Sequence, residues 1–73
     1  MQDKPKRIHL SEKQLEVLLL IDEGLSTKLI ADKLGCSVKS IERIRERLHK
    51  KFDVHNVTAL IKAAREQGFL EKE

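Results

Sequence analysis

Apolar residues recur along this chain at intervals of three and four, and no stretch alternates with the period of two that a half-buried strand requires. The pattern divides into blocks that predict four helices. The first opens at Ser11, where Ser11-Glu12-Lys13-Gln14 has the form of a capping box, each side chain serving a backbone amide at the other's position. Leu10 before it and Leu15 inside it are placed as a hydrophobic staple. Gln14, Val17, Leu18 and Ile21 share one face, and Gly24 ends the helix as a left-handed cap. A second helix, capped by Ser26, runs from about Thr27 to Leu34 with Ile30, Ala31 and Leu34 inward, and Gly35 stops it. Ser37 caps a third that runs to about Phe52, with Ile41, Ile44, Leu48 and Phe52 on one stripe and charged residues nearly everywhere opposite. The fourth is capped by Asn56 and runs to about Gln67, with Val57, Leu60, Ile61 and Ala64 inward and Gly68 at its end.

The joint between the second and third helices says most about function. In a helix-turn-helix, two helices cross steeply over a short turn. Close approach needs a small residue on the first helix, and the turn needs a residue that tolerates positive φ. Ala31 meets the first demand and Gly35 the second, while Ile41 and then Ile44 are placed to pack back against the first helix. Three matches at fixed offsets are more specific than any one. The fold expected is a compact all-α four-helix bundle containing a helix-turn-helix, unrelated to winged helices, with the helix at about 38–51 entering the DNA major groove.

Composition narrows the alternatives. Seventy-three residues make one domain, assigned here to 10–73, behind a polar basic arm or linker stub at 1–9 that holds Lys4, Lys6 and Arg7 around the only proline, Pro5. The core has to be aliphatic, because Phe52 and Phe69 are the only aromatic residues. Cys36 is the single cysteine, which excludes an intrachain disulfide framework and a multi-cysteine zinc site. His9, His49 and His55 lack metal-ligand spacing, and neither a glycine-rich phosphate loop nor a Ser/His/Asp set occurs, so no metal, cofactor or enzymatic activity is expected. The longest apolar run, Val17 to Ile21, is too short for a signal peptide or a membrane span, which points to the cytoplasm. Charge is uneven. Between Ser37 and Lys51 six cations face two anions, a net +4, whereas the remaining nine cations and ten anions give −1. One short segment therefore supplies the whole positive excess, as a polyanion-binding face would.

From Leu10 to Ile61 the chain resembles the DNA-binding domain of LuxR-type (NarL/FixJ) bacterial transcription regulators. The residues that carry the resemblance are Leu10-Ser11, Glu16-Val17-Leu18, Gly24-Leu25-Ser26, Lys28, Ile30-Ala31, Leu34, Ser37, Ser40-Ile41, Lys51, Val54 and Asn56, in register without a gap. The resemblance implies a four-helix domain whose third helix reads double-stranded DNA and whose fourth often supports a homodimer on DNA. It also implies the output domain of a two-component response regulator, joined to an N-terminal receiver domain. The family usually has Glu in place of Gln14, Arg at Leu15, Asn at Thr27, Glu at Leu29, His at Ile44 and Arg at Val57. Those departures leave the apolar skeleton intact and bear on individual contacts.

The resemblance places base readout at Glu42, Arg43 and Glu46. A guanidinium at Arg43 can bond guanine bidentately, and either carboxylate can accept from a cytosine amino group. Spacing alone would serve intrahelical pairs equally well, Glu42–Arg45 and Arg43–Glu46 at i,i+3 and Glu46–Lys50 at i,i+4. Phosphate contacts are expected from Thr27, Lys28, Lys39, Ser40, Arg47, Lys50 and Lys51, helped by the N-terminal dipole of the third helix. Arg45, nearer the apolar stripe, reads as a structural salt-bridge residue. A partner or dimer surface is expected at Thr58, Lys62 and Arg65 on the fourth helix, or at the apolar pair Leu15 and Leu19. Two other readings stay open: a promoter-binding sigma-factor region, which shares the four-helix helix-turn-helix plan, and, in a different class, a helical protein-interaction module that uses its basic face on an acidic partner.

Overall fold

The computed structural model describes residues 8–71. They form α1 (Glu12–Asp22), α2 (Thr27–Leu34), α3 (Val38–Phe52) and α4 (Val57–Glu66), with no strand among the described residues. The expected arm falls largely outside the described residues, at 1–7, as do positions 72–73. Of its described residues, Ile8 is half-buried against the core and His9 is exposed.

Each helix begins where a short polar side chain can replace the missing backbone acceptor. The Ser11 box is closed in both directions: Gln14 N–H donates to Ser11 Oγ at 3.1 Å, and Ser11 N–H donates to Gln14 Oε1 at 3.0 Å. Ser26 accepts from Leu29 N–H at 3.2 Å, Ser37 from Ser40 N–H at 3.0 Å, and Asn56 from Ala59 N–H at 2.8 Å. The helix ends share one device as well. After α2, Cys36 N–H reaches back to the Ala31 carbonyl at 2.9 Å and Gly35 N–H to Asp32 at 3.3 Å, with Gly35 left-handed at φ 69°. This paired return satisfies carbonyls that helix geometry strands, and it turns the chain into α3. The same pairing closes α3, but there the left-handed position holds Asp53 at φ 55°.

α3 is the central element and packs against α1, α2 and α4. Ile41, Leu48 and Phe52 are buried, with Ile44 half-buried at the stripe's edge. They meet Val17, Leu18, Leu20 and Ile21 of α1, Ile30 and Ala31 of α2, and Leu60 and Ala64 of α4 in one aliphatic cluster. Burying each of the larger side chains contributes roughly 1.5–3 kcal/mol, set against the conformational entropy lost on folding. Past α4, Leu70 is buried and Phe69 meets Phe52 edge to face, ring centroids 5.8 Å apart at 89°. This contact fastens the C-terminal turn to the end of α3.

The structure corrects the expected faces in three places. Val57 is exposed rather than inward, because the first turn of α4 stands at the rim of a shallow groove beside Asp22. Leu15 is half-buried and packs on the core, so Leu19 alone of that pair is exposed. Leu20, off the expected stripe, is buried where the chain turns back after α1 and its carbonyl accepts from Leu25 N–H at 3.2 Å.

Candidate nucleic-acid interface

With Ile41, Leu48 and Phe52 locked inside, helical geometry directs Lys39, Glu42, Arg43, Glu46, Arg47 and Lys50 away from the core, and all six are exposed. The intrahelical ion pairs that their spacing permits do not form. Among the described residues the one ion pair joins Arg65 Nη2 of α4 to Asp22 Oδ1 at the end of α1, at 3.4 Å. Glu42, Arg43 and Glu46 therefore stand on a rigid helix with their hydrogen-bonding groups open to a ligand. Arg45 is half-buried and makes no ion pair; its carbonyl lies 2.8 Å from His49 Nδ1, so the imidazole N–H donates to it.

The two flanks of this ridge differ in sign. Toward α1, Arg43 and Arg47 line a groove with Lys13, Ser11, Ser40 and Cys36, and no carboxylate lines it. The opposite flank carries Glu42, and Glu46 and Asp53 border a depression there beside His49, Lys50 and His55. Lys13 was invisible as an interface residue in the sequence, because only the packing of α1 on α3 brings it to this face. Its Nζ lies 3.4 Å from Cys36 Sγ, in the turn of the helix-turn-helix. Of the hydroxyls, Ser37 Oγ donates to Ser40 Oγ at 3.0 Å, so Ser40 keeps its own proton for another acceptor. Thr27 is half-buried and Lys28 exposed at the start of α2.

Lys51 is placed differently from the other expected phosphate contacts. Its ammonium donates to the His9 carbonyl and, at 3.0 Å, to Gln14 Oε1. It ties the end of α3 to the start of α1, and two of its three donors are already engaged. Arg65, expected at a partner surface, is likewise partly committed through Asp22, while Thr58 and Lys62 are exposed beside it.

A family model described as bacterial regulatory proteins, luxR family, matches residues 9–64. The chain belongs to the LuxR family of bacterial regulatory proteins. That membership makes the four-helix unit a DNA-binding helix-turn-helix domain rather than an enzyme. An uncharacterized response regulatory protein, YgeK of Escherichia coli, is 41% identical over 59 residues, covering 81% of this chain and 40% of that protein. The oxygen regulatory protein NreC of Staphylococcus haemolyticus is 36% identical over 62 residues, covering 85% of this chain and 29% of NreC. Among solved structures, the response regulator ChrA of a heme-sensing two-component system superposes with a TM-score of 0.82 at 34% identity, over 92% of this chain and 33% of ChrA. This LuxR-family chain thus spans well under half the length of the relatives it matches.

Proposed function

We propose that this domain binds a duplex half-site sequence-specifically in the bacterial cytoplasm, as the output domain of a two-component response regulator. α3 lies in the major groove, with Arg43 bonded to guanine and Glu42 and Glu46 accepting from cytosine amino groups. Thr27, Lys28, Lys39, Ser40, Arg47 and Lys50 reach phosphates and fix the register. A receiver domain precedes the domain in the full-length protein, and two copies pair on DNA through the α4 face that carries Thr58, Lys62 and Arg65. One observation carries this reading: the exposed ridge of α3 presents charged groups that form no ion pair among the described residues, on a helix whose back is anchored in the core.

The test is selection from a randomised duplex pool, followed by a salt titration of the enriched sequence against a scrambled one. Enrichment of a defined half-site, with affinity that falls steeply as salt rises, is the expected outcome. Equal binding of selected and scrambled duplexes at every salt concentration would overturn specific readout and favour a protein-interaction module.

A further inference from the structure

We infer that Lys13 is a DNA-contacting residue, and that with Arg47 and the Ser40 hydroxyl it seats one backbone phosphate in the groove between α1 and α3. The inference rests on the reading that α3 enters the major groove, and it extends the interface to a helix outside the helix-turn-helix.

Lys13, Arg43 and Arg47 come from two helices and line a single groove. All three are exposed, and none is paired with a carboxylate among the described residues. Three uncompensated cations around one depression repel each other, and an anion placed between them relieves that repulsion. The lining holds no aspartate or glutamate to do so from within. The neighbouring hydroxyl suits the same ligand, because Ser40 Oγ already accepts from Ser37 and retains a proton to donate.

The Lys13 ammonium does not trail into solvent. It rests against Cys36 Sγ, 23 positions along the chain, and a thiol sulfur is a weak acceptor that leaves the ammonium's other donors free. This contact holds the charge over the turn, beside the ridge that faces the groove. On the opposite flank Lys50 stands beside the acidic side chains Glu46 and Asp53, whereas the groove toward α1 is lined by three cations and no carboxylate, so it is the better seat for a phosphate. With α3 inserted, Arg43 at the inner edge of the groove points to the bases, and Lys13 and Arg47 close on the phosphate outside them.

Lys13→Ala tests the assignment on the selected duplex, across a range of salt. Removing one phosphate contact should flatten the slope of log K against log salt by about 0.9 and leave the preference for selected over scrambled duplex unchanged. Lys13→Arg should keep the wild-type slope. Lys33→Ala, which removes an exposed lysine of α2 outside the groove, should also leave the slope unaltered. An unchanged slope in Lys13→Ala overturns the inference while DNA binding by the domain stands. A wild-type chain that binds no duplex at all overturns the DNA-binding reading itself, and this assignment falls with it.

Discussion

The ammonium of Lys51, at the end of α3, lies 3.0 Å from the side-chain oxygen of Gln14, which also accepts the backbone N–H of Ser11 at 3.0 Å. One amide oxygen thus closes the capping box of α1 and joins two helices. A carboxylate at this position would do both with charge. It would face a cation and sit in the first turn of a helix, where negative charge is favoured by about 0.3–1 kcal/mol. Gln14→Glu should therefore raise the unfolding free energy by about 0.5–1 kcal/mol at low salt, with most of the gain lost in molar salt. Urea titrations of the two proteins, with and without Lys51→Ala, measure the coupling. A gain that survives in the Lys51→Ala background would assign the effect to the helix dipole alone.

Readout and anchoring should separate on α3. Arg43→Ala should lower discrimination at a single base pair, by about 1–3 kcal/mol, and leave other positions of the site unaffected. Lys50→Ala should instead weaken all duplexes alike and flatten the salt slope by about 0.9. Binding measured against every single-base variant of the selected site distinguishes them. Uniform losses in both variants would remove Arg43 from the readout set.

Asp53 occupies the left-handed position that ends α3, at φ 55° and ψ 51°. A side chain there crowds its own carbonyl, and a carboxylate at a helix C-terminus faces the negative end of the dipole. Asp53→Gly removes both penalties and should stabilise the domain by about 1 kcal/mol. The urea midpoint should rise with no change in m. A lower midpoint would show that the carboxylate makes a favourable contribution larger than both.

Leu48 is fully buried at the centre of α3, whereas Leu19 on α1 is 42% exposed. Leu48→Ala should cost about 2–5 kcal/mol, a large share of the stability of so small a domain. Leu19→Ala should cost well under about 1 kcal/mol. Thermal melts followed by circular dichroism check the contrast, and comparable losses would mean that Leu19 is buried in solution by a partner copy.

The helix starts were legible because Ser11, Ser26, Ser37 and Asn56 each act within three residues of themselves, a range over which sequence and geometry coincide. Gly35 was legible as a stop for the same reason. Asp53 does the same job without the glycine that signals it, so the end of α3 was marked only by the exhaustion of its apolar stripe. Features built by tertiary approach left no trace in local spacing. Val57 obeys the periodicity of a buried face, yet the bundle ends before reaching it. Lys51 reads as one more cation on a basic helix, and its partners His9 and Gln14 lie some forty positions away. The ridge of α3 was legible because a buried stripe fixes its own opposite side. Its division into a cationic and an acidic flank needed α1 in place.

The bond from Lys51 to the His9 carbonyl moors the incoming chain at the trailing end of α3, the end remote from Ser37. A domain joined ahead of Ile8 would reach this one beside the end of α3 that carries Lys51. Tension along that upstream segment would load first Ile8, packed on the aliphatic interior, and next the Lys51 bond at His9.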